Sequence, residues 1–451
     1  MFRIGKEAVA LSRAQRLNAL YRIIPRVQVK RILSKTGHDR VFCARLPAVF
    51  VVYFVLAMGL FCTDCYRQVF RWLRPWKKGT VPGRSTLCEA RRRLGLAPLA
   101  ILAKETVKLL AGPQTRNAFY RGMRLMALDG FVVDIPDMPA NDQVFGRPPG
   151  SRAPGAFPQA RIVAMCEAGT HVMWRWRIKP IRVAEQTMAD GLLRFLEPGM
   201  LLMWDRNFLS YDRVVRVIGQ NAHLLARVRK GLVFQSIQPL TDGSYLAKLY
   251  PHATARKHDR QGIVARVIDY TFDDPNRPGH GQEHHLITTL LDAELDPAKT
   301  LIELYHVRWE QELTIDEFKT HQTQRPVLRS HTPAGVVQEL YALLLDHYVV
   351  RVLMFEAAQE ATVSPLSISF VGTLKILRCR IPEFPRRRRA QHGWWRNLVR
   401  EVAEEVLPSR RNRINPRVIK RKMSKWKKKR PYHRPYPQPT KAFLDSIVMI
   451  H

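Results

Sequence analysis

The rhythm of apolar and polar positions changes several times along the chain. Residues 1–110 read as helical. Within them, residues 46–63 (LPAVFVVYFVLAMGLFCT) carry no charge over 18 positions, the lower limit for a membrane span. Pro47 at the start and the basic, amphipathic surroundings predict a buried core helix there instead. Thr86-x-x-Glu89 has the spacing of a capping box, and Gly95 closes the helix that would follow. Arg91, Arg92 and Arg93 would project from it, either into a DNA groove or as a solvated basic face. From about residue 121 the pattern turns to strands. RLMALDGFVVDIP has an Asp-Gly pair between two apolar runs, a hairpin signal, and residues 161–180 predict a second hairpin turning at Ala168-Gly169. A helix over 184–196, a fully apolar strand over 200–204 and a helix over 211–220 complete an α/β layer covered on both faces.

Residues 222–295 break that alternation. HLLARVRK, SYLAKLYP, IVARVIDYTF and EHHLITTLLD are four strand-like runs separated by Gly, Pro and Asp, which reads as a β insertion. Helices return over 298–321 and 335–360. Beyond 380 the chain is rich in Pro and Arg, with one amphipathic helix near 394–407 before a basic tail. No internal repeat is present.

Charge narrows the function. Lys plus Arg number 74 against 38 Asp plus Glu, a net charge of +36. Such a surface repels itself and calls for a polyanion, most often nucleic acid. Residues 410–434 hold 13 Lys and Arg and no acid, yet most of the excess lies elsewhere. Six scattered cysteines make no disulfide framework, and the first residues lack a signal-peptide core, so a reduced cytoplasmic protein is expected. Cys62-x-x-Cys65 has no second pair to complete a zinc site. His280, His284 and His285 read as a solvated loop edge. Asp134 and Asp137 belong to a turn-rich stretch, and Trp394-Trp395 reads as core or dimer contact.

In so basic a protein, carboxylates in apolar surroundings need a reason. Asp129 follows the apolar run 125–128, and Asp205 ends the apolar strand 200–204. Two strands that each deliver an Asp at one end of a sheet can set the carboxylates side by side. Their repulsion is relieved by a hard divalent cation such as Mg²⁺. Each also has a bland reading, Asp129-Gly130 as a turn and Asp205 as a helix cap. The segment YHVRWEQELTIDEFK (305–319) adds a third acid. At about 100° per residue, Tyr305, Arg308, Glu312 and Lys319 fall within an arc of about 60°, beside a core side formed by Leu304, Val307, Ile315 and Phe318. Glu310 and Glu317 point away. Arg308 with Glu312 alone would be an ordinary i,i+4 surface pair.

Tyr-x2-Arg-x3-Glu-x6-Lys resembles, residue for residue, the signature of the insertion-sequence-4 family of DDE transposases. The segments LDGFVVDIPD, WDRNFLSYD, VLRSHTPAGVVQELYALLLDHYVVR, RRNRINPRVIKRK and LPAVFVVYFVLA are similar to that family too, so the resemblance covers most of the chain. Two departures stand out. Asn207 occupies a position that is often Gly. No Trp lies between Trp204 and Trp309 to stack a flipped base, leaving Tyr270 or Phe272 as a substitute.

The resemblance implies an α/β ribonuclease-H-like core, a mixed sheet flanked by helices, with a β-strand insertion. Expected domains are a helical N-terminal DNA-binding domain (1–115), the first part of the core (116–221), the insertion (222–297), the second part with the signature helix (298–360) and a helical and basic C-terminal region (361–451). It further implies a metal-binding catalytic triad of Asp129, Asp205 and Glu312, holding two Mg²⁺ ions, with Mn²⁺ as a substitute. Tyr305, Arg308 and Lys319 would contact DNA phosphates or a displaced base. The implied substrate is double-stranded DNA, the terminal inverted repeats of an element and a target, cut and joined through a hairpin intermediate. A homodimer on DNA, a cytoplasmic, nucleoid-associated location and no membrane partner follow. The alternative is an inactive or domesticated DNA-binding relative.

Overall fold

The computed structural model describes residues 16–39, 46–73, 81–150, 154–229, 232, 234–324, 327–385, 388–408, 418–419, 427–428, 430–433 and 437–450. The extreme N-terminus and most of the basic tail lie outside these residues. The chain forms two compact units, Met1–Phe195 with Trp309–Leu407, and Leu196–Arg308 with Pro408–His451.

In the first unit, β1 (Phe119–Tyr120), β2 (Met123–Asp134), β3 (Gln159–Glu167) and β4 (Val172–Pro180) pair antiparallel in the order β4-β3-β2, with β1 on β2. The second hairpin forms as expected, turning at residues 168–171. The first does not: Asp129-Gly130 lies inside one continuous strand that stays in register with β3 from Met126 to Asp134. Glycine serves another purpose there. A Cβ on Gly130 would stand 2.9–3.1 Å from the Glu185 side chain, so the glycine leaves room where Glu185 crosses the strand.

The 28-residue helix Pro333–Glu360, N-capped by Thr332, covers this sheet. Phe131, Ile162, Phe318, Leu340 and Leu344 belong to the core cluster between them. On the same helix lies Ala48–Leu60, buried from Phe50 to Leu60 and only 13 residues long. The uncharged run 46–63 therefore carries a core helix, as expected. Among the described residues no helix is long and apolar enough to cross a membrane.

Arg329 locks this helix pair. It donates to the carbonyls of Met58, Phe61 (3.2 Å) and Asp64 (2.7 Å), which satisfies the C-terminal end of Ala48–Leu60, and it pairs with Glu339 at 3.1 Å. The Thr86/Glu89 box is not a cap, because the helix begins earlier, at Arg84, with Gly83 before it. Arg91 does not project either. It is buried and donates to the Tyr66 hydroxyl (2.6 Å), Ser330 Oγ (3.1 Å) and the Gly335 carbonyl (2.9 Å). Arg92 pairs with Glu89 at 2.8 Å on the surface.

Asp346, on Pro333–Glu360, is fully buried at the point where Gly59 crosses, and neither carboxylate oxygen has a hydrogen-bond partner among the described residues. Burial pushes its pKa well above the carboxylate range, against the opposing pull of Arg378, so the group is a neutral acid in the fold. An unfolded chain releases that proton above a pKa of about 3.9. Stability therefore falls as pH rises beyond that point, by about 1.4 kcal/mol per pH unit while the folded group stays protonated. Asp346→Asn should remove this slope and gain stability toward neutral pH. Urea midpoints taken from pH 5 to 8 test it, and a variant slope equal to that of the wild type refutes the neutral assignment.

In the second unit, β5 (Met200–Trp204) and β6 (His223–Arg227) are parallel, joined through the helix Tyr211–Gly219. The sheet continues antiparallel through β10 (His284–Thr288), β9 (Ile263–Phe272), β8 (Tyr245–Leu249) and β7 (Ser236–Pro239). All four strand-like runs are strands. The boundaries expected at 221/222 and 297/298 fall inside this unit, because β6 pairs with β5 on one edge and with β10 on the other. A strand no sequence pattern signalled, Ile447–Met449, pairs with β9.

Candidate active site

Asp129 sits mid-strand in β2, opposite Ala164 of β3, and its Oδ1 accepts from the Gly130 amide at 2.7 Å. The segment carrying Glu312 is not the uninterrupted helix expected over 298–321. Ala298–Val307 ends in a turn at Arg308, Trp309–Asp316 follows, and Glu317–Gln322 widens into a π-helix. Such bulges often mark functional segments. Lys319 is exposed on the π turn, which no longer advances by the α-helical angle, so the arc drawn through all four signature residues does not hold to its end.

Trp309–Asp316 packs on β2. Gln311, 2% exposed, donates through Nε2 to the carbonyl of Ala164 at 3.1 Å. Ala164 is the direct partner of Asp129, so the residue before Glu312 is registered against the strand pair that carries Asp129. Phe318 packs against Phe131 of β2 in a tilted arrangement with ring centroids 5.3 Å apart, a second tie to that strand.

The two glutamates expected to point away from the site enter a buried ionic cluster instead. His171, in the β3–β4 turn at φ +56°, reaches Glu310 at 2.9 Å and Glu317 at 3.0 Å. Arg351 and His347 of Pro333–Glu360 also hold Glu317, His347 at 3.3 Å. Arg351 and the two histidines together keep the Glu317 carboxyl well below its usual range against the opposing effect of desolvation. The His171 contacts span 139 and 146 residues of sequence, which is why no local pattern announced them.

In the second unit, Asp205 is the first residue beyond β5, half-buried after the fully buried Trp204. Tyr305 donates its hydroxyl to the Trp204 carbonyl at 3.4 Å, and the Arg308 guanidinium lies 5.6 Å over the Tyr305 ring. Burial pushes the Tyr305 phenol up to about 12; Arg308 opposes this and Asp205 adds to it, so the group is neutral at physiological pH. Asp205, Tyr305 and Arg308 thus gather at the end of β5.

Tyr270 and Phe272 are 3% and 4% exposed, enclosed by each other, His284 and Phe443, and offer no open face to a base. His285 pairs with Asp269 at 2.7 Å, Asp134 accepts from Gln159 at 2.8 Å, and Asp137 pairs with Arg147. Cys62 is buried and donates to the Gln322 carbonyl, while Cys65 is exposed. Trp395 packs in the core and donates to Glu356 at 2.7 Å.

Residues 14–104 match the profile described as insertion element 4 transposase N-terminal, and residues 120–346 match the transposase DDE domain. The chain belongs to the insertion-sequence-4 family of DDE transposases. It is 28% identical over 411 residues to the Escherichia coli K12 transposase InsG for insertion sequence element IS4, covering 88% of this chain and 90% of that protein. It is 25% identical over 218 residues to the putative transposase InsZ of the same organism, 48% of this chain and 73% of that one. Among solved structures, a piggyBac transposase synaptic complex with hairpin DNA superposes with a TM-score of 0.46 at 11% identity, over 88% of this chain and 86% of that chain. The DDE transposase domain makes the core ribonuclease-H-like, a mixed sheet flanked by helices with a helical N-terminal region. Divalent metal ions serve this domain family generally. Among the described residues no three His, Cys, Asp or Glu side chains are grouped to hold a metal. Asp129, Asp205 and Glu312 each offer carboxylate oxygens, the donor type that suits a hard cation.

Proposed function

We propose that this transposase cuts the ends of an insertion element and joins them to target DNA through two metal-assisted displacements at each phosphate, with a hairpin on the element end as intermediate. The Gln311–Ala164 hydrogen bond carries the reading, because it sets the signature helix in register with the Asp129 strand. Asp129, Asp205 and Glu312 would hold two Mg²⁺ ions, with Mn²⁺ as a substitute. Bound there, the ions supply Lewis-acid stabilisation of phosphoryl oxygens and a more acidic attacking hydroxyl. Arg308 grips a phosphate bidentately and Lys319 adds a point charge. Tyr305 stays protonated and donates a hydrogen bond, first to the β5 end and then to the strand lying on it. Two element ends call for a homodimer on DNA. The location that suits this work is the cytoplasm, on the nucleoid.

The test is an in vitro reaction of the full chain with linear DNA bearing the inverted repeats that flank its gene. With Mg²⁺, hairpin-ended element and strand-joined target products are expected. Nicking without either product would leave a nuclease and overturn the proposal.

A further inference from the structure

We propose that the β-rich unit carries a second DNA site, a groove that takes an unpaired run of a DNA strand, separate from the carboxylates and resting on the transposase reading. The groove is a cavity of about 680 Å³ between the helices Tyr211–Gly219 and Ala253–Lys257 and the strands β7 and β8. That volume lies within the range of about 300–1,000 Å³ typical of ligand sites.

Its chemistry is one-sided. Arg206, Arg229 and Arg256 line it, and no described lining residue is an acid. All three arginines are exposed, and no carboxylate among the described residues pairs with any of them. Lys248, at the same cavity, is neutralised by Asp259 at 2.6 Å, so the arginines supply the uncompensated charge. Between them lie Phe234, Tyr250 and Ile237, the last 53% exposed.

Tyr250 has neighbours at its hydroxyl and along its ring. Its hydroxyl donates to Asp259 at 2.6 Å, and its ring lies so close to Gly262 that a Cβ there would meet it at 2.9 Å. A surface of flat apolar groups set among unpaired cations fits a ligand with flat apolar rings and regularly spaced negative charge. Unpaired nucleotides have this form: the bases stack on aromatic rings and the phosphates meet arginine. A duplex hides its base faces and would use the cations alone.

The groove lining begins next to the end of β5. Arg206 directly follows Asp205 at the end of β5. A strand freed beside Asp205 therefore meets the first groove cation one residue away.

The experiment uses the full chain in EDTA, where no cleavage occurs, with short single strands carrying 2-aminopurine, the matching duplex, and free thymidine monophosphate as a competitor. Quenching of 2-aminopurine in the single strand is expected. Phe234→Ala and Tyr250→Ala should each weaken single-strand affinity about ten-fold and lower the quenching, with duplex affinity within about two-fold of wild type. Tyr250→Phe, which keeps the ring, should retain the quenching. Gly262→Ala, which displaces the ring, should behave as Tyr250→Ala. Unchanged quenching in the alanine variants, or a parallel loss for duplex, overturns the proposal. So does full competition by the monophosphate at equal concentration, which would mark a free-nucleotide site. Because binding is read without metal or cleavage, failure of the groove leaves strand joining intact, and failure of strand joining leaves the quenching intact.

Discussion

Asp129→Asn, Asp205→Asn and Glu312→Gln should each cut strand cleavage in Mg²⁺ by at least about a thousand-fold, about 4 kcal/mol in the barrier, while binding of an element end stays within about two-fold of wild type. The reason is chemical rather than steric. Each amide has nearly the shape of the acid it replaces, but it removes one anionic hard oxygen from a site where several must oppose the charge of the cation. The surrounding frame should survive. Asp129 lies in a strand whose register with β3 is set by the backbone, and Asp205 follows β5, whose pairing with β6 does not involve its side chain. Glu312 is partly exposed on a helix already held by Gln311. Gel-shift and cleavage assays on the same preparations separate binding from chemistry. Calorimetric titration with Mn²⁺ adds a measure free of turnover, and weaker Mn²⁺ binding is expected in all three. Normal cleavage by any one variant removes that residue from the site.

What the sequence revealed follows the range of the forces involved. The strand Met200–Trp204 was legible to the residue, because five apolar residues in a row are buried on both faces and Asp205 stops the run. The 161–180 hairpin was equally clear from its turn. Asp129-Gly130 was misleading because the same dipeptide that makes a good turn also makes room for a crossing side chain, and Glu185 is 55 positions away. Arg91 looked like a reader of DNA because a triple arginine is basic wherever it stands. Its partners Ser330 and Gly335 lie in a segment more than 200 residues later. The signature residues were visible at the level of spacing, but not the breaks in the helix at Arg308 and after Asp316. Edge pairing by Ile447–Met449 was hidden for a related reason: three residues following a Pro- and Lys-rich tail show no period of their own, and β9 gives them their conformation.

The second large effect is expected at Glu317. Glu317→Gln keeps the volume but strips the negative charge from a cluster in which Arg351 is 1% exposed and His347 and His171 are as deeply buried. A buried arginine without its counter-charge costs about 3–5 kcal/mol, which a lower urea midpoint at unchanged slope would register. Acid dependence supplies the sign. The folded carboxyl is held well below its unfolded pKa of about 4.3, so its contribution is complete above that value and is lost as pH falls through the lower folded one. The variant should lack that arm of the acid curve.

A role in placing Glu312 makes a further demand that fold support alone does not. His171 grips Glu310 and Glu317 on either side of Glu312, tying the α-helical turn and the π turn to the tip of the β3–β4 hairpin. Releasing one grip lets the helix rotate over β2. The Mg²⁺ concentration for half-maximal cleavage should then rise about ten-fold, measured at a temperature where the variant remains folded. A variant that loses stability and keeps the wild-type Mg²⁺ requirement would reduce the cluster to a brace for the core and leave Gln311 as the residue that sets Glu312.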